Sequence, residues 1–314
     1  MNLALVEAYA QASSANLGAG FDVFGVSLDA LFDRVIVEKT AEEGVIRIEV
    51  EGEGSEDIPR NPEKNTAGIV AEEMLKCSSE KCGLKIKIYK GIRPGSGLGS
   101  SAASAAATAV AINALLGLNL DLTQLIEYAA LGEIASAGSP HADNVSAAIL
   151  GDFTIITCRK PLEVLKLSLP PNAKFAIALP EIKVDTSLAR SVLPRKVDLS
   201  DAVHNVGRAA TFIAGMMLNS VEIMGKGMVD AIAEPARARL IPGINNVKRR
   251  ALEAGAAGVA ISGAGPSIIA LVDSSRVSAE EVSLAMREAF EEVGVRSKPL
   301  CAKPGSGARV TRKE

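Results

Sequence analysis

The chain has 314 residues, of which 48% are hydrophobic and 23% charged, and a formal net charge of −3 at pH 7. A chain of this length can bury a substantial core in one large or two moderate domains. The acidic balance, with no long run of Lys or Arg in the sequence, argues against a nucleic-acid partner. No positively charged region precedes an apolar stretch at the start, so we expect no signal peptide and a cytoplasmic protein.

The four cysteines form no C-x-x-C pair and no zinc-ligand spacing with the two histidines, His141 and His204. Disulfides are rare in reducing compartments, so this pattern predicts free thiols. The uncharged stretch 94–120 is long enough to cross a bilayer. Its Ala, Ser and Gly content lacks the apolar density of membrane spans, so we expect a soluble helix of small residues there and no membrane association.

In the first half of the chain, clusters of β-branched residues predict strands, and helical spacing of apolar residues predicts helices. The predicted strands are 34–39, 46–51, 84–89 and 147–157. The predicted helices are 65–76, 100–116 and 122–134. Gly117 can end the second of these helices, and Asp121 or Thr123 can cap the third.

Three prolines in the segment 160–173 predict a boundary that divides the chain into domains 1–160 and 161–314. The strands predicted beyond it are 175–179, 259–262 and 268–272. The helices predicted beyond it are 199–218, 221–232, 244–254 and 279–293. Because strands and helices mix without regular alternation, the fold class predicted is α+β.

A glycine- and serine-rich segment, PGSGLGSSAA, stands directly before the second predicted helix. Glycines let a backbone approach an anion closely, and a helix N-terminus offers unpaired N–H groups to it. Serine hydroxyls can bind a phosphate or join a Mg²⁺ shell. The segment has neither the lysine of a Walker P-loop nor the G-x-G-x-x-G spacing of dinucleotide-binding folds. The predicted polyphosphate-binding residues are Pro94, Gly95, Ser96, Gly97, Leu98, Gly99, Ser100, Ser101, Ala102 and Ala103.

The longer string GIRPGSGLGSSAASA resembles the phosphate-binding motif of the GHMP kinases. The early ASSANLGAGFDVFGVSLD and the late AISGAGPSIIALV resemble the first and third motifs of that family, in the same order. The resemblance therefore spans nearly the whole chain. One departure is that the proline usually placed before x-G-S-G comes one residue late, as Pro94, with Arg93 in its position. The third-motif loop consists of Ser262, Gly263, Ala264 and Gly265.

This resemblance implies an ATP-dependent small-molecule kinase with Mg²⁺ as its metal. It implies a two-domain fold, with a left-handed β-α-β unit in the N-terminal domain and a ferredoxin-like α/β sandwich in the C-terminal domain. The active site is expected at the interface between them, and a homodimer is compatible with the family.

Four segments most resemble the branch of the family that phosphorylates L-homoserine: SANLGAGFD, GSPHADNVSAAILG, VDTSLARSVLP and EPARARLIPG. An amino-acid carboxylate needs a planar bidentate donor, which Arg190 and Arg237 could supply. Its ammonium needs an acceptor such as Asp22 or the carbonyl oxygen of Asn16. The substrate-binding residues implied are Asn16, Asp22, His141, Thr186, Arg190 and Arg237. Arg239 is equally compatible with a structural role.

Mg²⁺ usually takes one or two protein oxygens in addition to substrate phosphates, and Ser101 and Glu133 are the candidates here. Glu133 is the lone carboxylate of the otherwise uncharged segment 128–137. The resemblance points to the same glutamate. For the nucleoside, Asn61 and Asn65 lie before the first predicted helix, where Asn65 could equally be an N-cap.

The fate of the substrate proton stays open in the sequence. The catalytic candidates are Asp22, Asp143 and Asn144. If Asn144 faces the hydroxyl, the phosphate or water must take the proton, because an amide cannot. His141 could orient the substrate or be a packing residue. Alternative activities are a kinase of the same fold acting on shikimate, mevalonate or a sugar, and a ligand sensor with a decayed site. The loop spacing disfavours a dinucleotide-dependent oxidoreductase.

Overall fold

The computed structural model describes residues 3–138 and 140–314, and within them the chain forms two sheets with helices packed against them. The strands are β1 (Leu5–Asn16), β2 (Gly20–Thr40), β3 (Ile46–Gly52), β4 (Gly83–Lys90), β5 (Phe153–Arg159), β6 (Leu162–Leu167), β7 (Ala173–Pro180), β8 (Gly258–Ile261), β9 (Ile268–Asp273), β10 (Ser297–Ala302) and β11 (Arg309–Lys313). The helices are α1 (Thr66–Lys76), α2 (Ser100–Leu116), α3 (Leu122–Gly132), α4 (Ile134–Ala137), α5 (Asp143–Leu150), α6 (Thr186–Ser191), α7 (Leu199–Met217), α8 (Val221–Lys226), α9 (Ala233–Ala238), α10 (Ile244–Glu253) and α11 (Ala279–Glu291).

The first sheet contains β11, β1, β2, β4 and β3 in that order, and β5 pairs with both β2 and β6. Within it β3 and β4 are parallel and are joined by α1, which confirms the expected β-α-β unit. The helices α2 and α5 pack on β1 and β2, and α1 and α3 pack against α2. The sheet is therefore covered by a helical layer in which α2 is central.

Small side chains explain the central place of α2. Its alanines at positions 102, 103, 105, 106, 107, 109 and 111 are fully buried. Because they are short, the helix can approach the strands below and the helices beside it at the same time. Gly99 begins α2 and Gly117 ends it, both with left-handed backbone. Across the described ranges, no helix combines the length and apolarity that crossing a bilayer requires.

The second sheet has the antiparallel order β10, β7, β9, β8, with α10 and α11 packed against it around a core of their own. Helix α7 links the two halves, because Phe212 packs on Phe24 and Phe153 of the first sheet with ring centroids 5.6 and 5.3 Å apart. The expected α+β class and two-part architecture are thus confirmed, and a cavity lies where the two halves meet.

Some predicted elements are wrong. The segment 147–157 is not one strand: α5 continues to Leu150, Gly151 turns at φ 74°, and β5 starts at Phe153. A short apolar run does not distinguish a buried helix from a strand. The helix predicted to end at 232 stops at Lys226. The segment 160–173 contains β6, which pairs with β5 in the first sheet, and β11 also returns to that sheet. The division at residue 160 stays a prediction.

Candidate active site

A cavity of about 340 Å³ lies between the two halves of the molecule. One end is formed by the glycine loop and the start of α2, and the other by side chains from β2, α5, α6 and α9. Lining residues that were predicted from the sequence are Asn16, Asp22, Asn65, Pro94, Gly95, Ser96, Gly97, Gly99, Ser100, Ser101, Glu133, His141, Asp143, Asn144, Thr186, Arg190, Arg237, Gly263, Ala264 and Gly265.

The glycine loop requires its glycines for both conformation and space. Gly95, Gly97 and Gly99 have φ values of 69°, 80° and 67°, a region that side chains disfavour. A Cβ atom on Gly97 would lie 2.6 Å from the carbonyl oxygen of Ser262, and one on Gly99 would lie 2.1 Å from the Ser13 hydroxyl. The loop is therefore packed directly against the first and third motifs.

Hydrogen bonds join these three motifs. The Ser262 hydroxyl donates to the Gly97 carbonyl at 2.7 Å, and its oxygen lies 2.8 Å from the Ser14 hydroxyl, within hydrogen-bonding distance. The Asn16 amide donates to the Gly263 carbonyl at 2.8 Å. The third-motif loop therefore holds the glycine loop in place against β1.

The serines at the start of α2 have different partners. The Ser100 hydroxyl is buried and donates to the Ile92 carbonyl at 2.7 Å, so it shapes the loop. The Ser101 hydroxyl donates to Oε2 of Glu133 at 3.1 Å. Three predicted loop residues have side chains buried in the core and do not line the cavity, so only their backbone groups can serve a ligand. They are Leu98, Ala102 and Ala103.

The pair formed by Ser101 and Glu133 suits a hard cation. Glu133 is 7% exposed, and its carboxylate lies beside a hydroxyl at the N-terminus of a long helix. One carboxylate with one hydroxyl is the kind of partial shell that Mg²⁺ completes with water and phosphate oxygens. Within the described residues, no group of three or more His, Cys, Asp and Glu side chains forms a protein-only metal cage.

A buried ion pair beneath the loop was not predicted from the sequence. Lys90 donates to Oδ2 of Asp33, to the Ser100 carbonyl at 2.8 Å and to the Ser104 hydroxyl at 2.9 Å. Oδ1 of Asp33 accepts from the backbone N–H of Ile92 at 3.2 Å. Burial lowers the pKa of Lys90, and the Asp33 carboxylate opposes that effect. The pair ties the first turn of α2 to β2 and β4, and Lys90 lines the cavity.

The end of the cavity opposite the glycine loop contains charged side chains. Oδ1 of Asp22 accepts from Nη2 of Arg190 at 2.8 Å, and the same nitrogen lies 2.9 Å from Nδ1 of His141. Asp22 has a left-handed φ of 56°, and its backbone N–H donates to the Asn16 side chain at 3.0 Å. Burial, together with the positive charge of Arg190, lowers the pKa of the His141 imidazole. The first-motif turn therefore places the Asp22 carboxylate in contact with Arg190, which lies 168 residues further along the chain.

Arg237 stands beside this pair and is 4% exposed. Its guanidinium donates to the carbonyls of Gly263 at 2.9 Å and Ala189 at 3.1 Å. Helix α9, which carries it, is anchored by Asp230, whose carboxylate accepts from the backbone N–H of Ala233 and Glu234. Sequence reasoning missed Asp230. The signal available was an acid placed three residues before a short helix.

Asp143 and Asn144 lie at the N-terminus of α5, at the edge of the charged end. Burial raises the pKa of the Asp143 carboxyl to about 6, and the negative charge of Asp22 adds to the rise. The Asn144 side-chain oxygen accepts from the Ser13 hydroxyl at 3.0 Å, which orients its amide. Thr186 begins α6 and lines the cavity nearby.

The two asparagines proposed for the nucleoside, Asn65 and Asn61, have different positions. Asn65 lines the cavity and is also the N-cap of α1, since its side-chain oxygen accepts from the Ala67 N–H at 2.9 Å. Asn61 is exposed and caps the short 3-10 turn at 62–64 instead.

Arg239 is exposed and is not among the cavity-lining residues that the structure describes. All four cysteines are free, as expected.

Comparison with known proteins agrees with this geometry. Residues 65–152 match the family model for the N-terminal domain of GHMP kinases, and residues 208–292 match that for their C-terminal domain. Homoserine kinase of Methanococcus vannielii is 45% identical over 92% of each chain, and that of Methanocella arvoryzae is 46% identical over 97% of each. The crystal structure of homoserine kinase from Cytophaga hutchinsonii superposes with a TM-score of 0.92 at 37% identity, covering 98% of this chain and 97% of that one.

Proposed function

The chain belongs to the GHMP kinase family and is an ATP-dependent kinase, and we propose that it transfers the γ-phosphate of ATP to the side-chain hydroxyl of L-homoserine. The products are O-phospho-L-homoserine and ADP. In this reaction the hydroxyl oxygen attacks phosphorus, the bond to the ADP oxygen breaks, and the hydroxyl proton leaves. The protein's main work is to position the two substrates and to neutralise charge.

The observation that carries the substrate assignment is the Asp22–Arg190 pair in the same cavity as the glycine loop. An amino acid is a zwitterion, with a carboxylate and an ammonium on one carbon. A guanidinium binds the carboxylate in a planar, bidentate way, and a carboxylate binds the ammonium. Arg190 and Asp22 offer these two groups side by side, and their side chains are 27% and 11% exposed.

Neighbouring groups support this orientation. Arg237 adds a second positive charge to the carboxylate side. His141 contacts Arg190, and its lowered pKa keeps it neutral at pH 7, so it can hold the guanidinium without repelling it. Asn16 fixes the turn that carries Asp22. Thr186 offers a hydroxyl beside the same pocket.

At the opposite end, the glycine-loop amides and the N-terminus of α2 hold the phosphates of ATP. Ser101 and Glu133 would hold Mg²⁺, and Lys90, paired with Asp33, and Lys183, paired with Asp57, line this wall of the cavity. Bound Mg²⁺ supplies charge neutralisation for the transferred phosphoryl group. Asn65 and the neighbouring 58–59 segment form the nucleoside side of the cavity.

For the proton, we assign Asp143. Of the two neighbouring residues only Asp143 can accept a proton, because an amide such as Asn144 is neither acid nor base at neutral pH. A pKa of about 6 leaves Asp143 ionised at pH 7 yet much more basic than an exposed aspartate. Asn144, oriented by Ser13, then serves as a hydrogen-bond partner of the substrate hydroxyl.

The assignment is tested by ADP release with a panel of acceptors at saturating ATP and Mg²⁺. L-homoserine should stimulate release strongly, and L-threonine, shikimate and mevalonate should stimulate it much less. Shikimate has a carboxylate but no ammonium, so it cannot form the proposed ion pair with Asp22. A chain that prefers shikimate or mevalonate would keep its kinase activity but not the proposed substrate.

A further inference from the structure

The aromatic ring of Phe21, in the first motif, contacts both arginines at the acceptor end of the cavity. The guanidinium carbon of Arg237 lies over this ring, 5.3 Å from its centroid, and that of Arg190 lies over it at 5.9 Å. Both distances are within the roughly 6 Å at which a cation is attracted to the electron-rich face of an aromatic ring. One ring therefore interacts with two cations that belong to separate helices, α6 and α9.

The two guanidiniums repel each other, and this repulsion has to be offset when the acceptor is absent. Arg237 is 4% exposed, and its hydrogen-bond partners are the neutral carbonyls of Gly263 and Ala189. Burial, together with the positive charge of Arg190, lowers the pKa of Arg237. The Asp22 carboxylate opposes this effect, but it is already in contact with Arg190. The negative face of the Phe21 ring adds a second favourable interaction for both cations.

An aromatic ring has an advantage over a second carboxylate at this position. A carboxylate would occupy the N–H donors of the guanidiniums and compete with the carboxylate of the acceptor. The face of a ring attracts a guanidinium without accepting those hydrogen bonds. Consistent with this, the Nε atom of Arg190 is buried and has no hydrogen-bond partner among the described residues. The ring thus stabilises the arginines and leaves donors for a ligand.

Phe21 acts on the cavity without lining it. Asp22, Arg190 and Arg237 are among the lining residues that the structure describes, and Phe21 is not. Its side chain is half-buried. Because the ring does not face the acceptor, it can change acceptor binding only through the side chains that do. Phe21 is therefore a positioning residue.

We propose that the face of the Phe21 ring holds the Arg190 and Arg237 guanidiniums in the positions that bind the acceptor carboxylate. This role rests on the proposed function, since it requires that these arginines bind that carboxylate. Phe21 directly precedes Asp22 in the sequence. One turn of the chain then supplies both the acceptor for the substrate ammonium and the support for the two arginines.

The first test compares the kinetics of Phe21→Leu with those of the wild type at saturating Mg²⁺. Loss of the ring should raise the KM for L-homoserine by about 10-fold and leave the KM for ATP unchanged. Phe21→Tyr keeps an aromatic face and should stay within about twofold of the wild type. The matched control is Phe32→Leu on the same strand, where the ring contacts Tyr9 with centroids 5.7 Å apart, and both KM values should be unchanged. An equal rise of the two KM values in Phe21→Leu would overturn the proposal.

A second measurement does not depend on the stability of the leucine variant. Phe21 is replaced in the full-length chain by 4-fluoro-, 3,5-difluoro- and 3,4,5-trifluorophenylalanine, introduced at this position alone. Fluorine withdraws electron density from the face of the ring and changes its size little, so attraction to the arginines weakens while packing is kept. The KM for L-homoserine should rise with each added fluorine, by about 5-fold in total, at a constant KM for ATP.

The series also separates this proposal from the proposed function. If the wild type phosphorylates L-homoserine and the KM stays the same across the fluorinated series, Phe21 has only a packing role and the proposal is wrong, while the substrate assignment stands. If L-homoserine does not stimulate ADP release by the wild type, the substrate assignment and the role of Phe21 are both overturned.

Discussion

The two ends of the cavity are built from different kinds of chemical group. The phosphate end is built mainly from backbone amides, glycines with positive φ and neutral hydroxyls within one short stretch of chain, to which Glu133 adds a carboxylate. The acceptor end is built from the charged side chains of Asp22, Arg190 and Arg237 and the imidazole of His141, which come from four separate segments. Backbone recognition suits a polyphosphate that all members of a family share. Side-chain recognition can change with the acceptor, so we propose that this end determines which molecule is phosphorylated.

The largest effect is expected from the metal site at the phosphate end. Glu133→Gln removes the only charge of the Ser101–Glu133 pair and should lower kcat by about 1,000-fold. Steady-state rates across a Mg²⁺ titration measure this loss. Glu127→Gln, in the same helical region and outside the cavity lining, should leave the rate unchanged. Wild-type turnover by Glu133→Gln would remove this residue from the metal site.

The next effect is expected at the acceptor end, where Asp143→Asn should lower kcat by about 300-fold because it removes the proton acceptor. The rise of kcat with pH, centred near the Asp143 pKa of about 6, should disappear in the variant. Activity should persist unchanged in Asp198→Asn, a variant at the exposed N-cap of α7. An intact pH profile in Asp143→Asn would assign the proton to the phosphate or to water.

The same variant should be more stable than the wild type. An unfolded Asp loses its proton near pH 4, whereas folded Asp143 loses it near pH 6. The folded protein therefore loses stability as the pH rises from about 4 to about 6. Asp143→Asn carries no charge and should raise the free energy of unfolding at pH 7 by about 1–3 kcal/mol. Urea unfolding at pH 4.5 and pH 7 would show the gain only at the higher pH. Equal stability of the variant and the wild type at pH 7 would contradict the raised pKa of the Asp143 carboxyl.

A smaller loss is expected from the backbone of the glycine loop. Gly97→Ala places a Cβ against the Ser262 and Gly265 carbonyls and should shift the loop, lowering kcat/KM by about 100-fold. Gly117→Ala is a matched control, because Gly117 also has positive φ, at the other end of α2, but its added Cβ would meet nothing within 4 Å. The control should lose only about 1 kcal/mol of stability, with normal kinetics. Normal kinetics in Gly97→Ala would show that the loop tolerates displacement.

The smallest effect is expected from a change at Arg190, and it separates the roles of the two ends of the cavity. Arg190→Lys keeps the charge but loses the planar fork, and it should raise the KM for L-homoserine by about 30-fold while leaving the KM for ATP unchanged. Arg159→Lys is the comparison, because Arg159 also contacts Asp22 but its side chain is 67% exposed, so little change is expected. A parallel rise in both KM values would mean that Arg190 supports the whole cavity.

The contrast also explains what could be predicted from the sequence. The glycine loop and the helix that follows it could be predicted because their conformation depends on residues close together in the sequence. Gly99 and Gly117, for example, stand at the two ends of α2. The ion pair of Lys90 and Asp33 was not, since its partners are 57 residues apart and neither stands in a recognised motif. The acceptor residues were found only through the family resemblance, because side chains on separate elements leave no local pattern.

For the fold, long β-branched strands were identified and strands of small residues were not. The inward positions of β1 include Ala8, Ala10 and Ala12, all buried, so its alternating pattern has little hydrophobic contrast. The first half of β2 was missed as well. Edge strands such as β11 depend on pairing with a distant partner and have no local signal.

The most direct test of the central claim, that the charged end recognises an amino acid, compares L-homoserine with 4-hydroxybutyrate. The second compound keeps the hydroxyl and the carboxylate but lacks the ammonium that Asp22 is proposed to bind. We predict that kcat/KM for phosphoryl transfer to 4-hydroxybutyrate is lower by about 1,000-fold, because the ion pair between the substrate ammonium and the half-buried Asp22 carboxylate would be lost. Equal kcat/KM values for the two acceptors would contradict it.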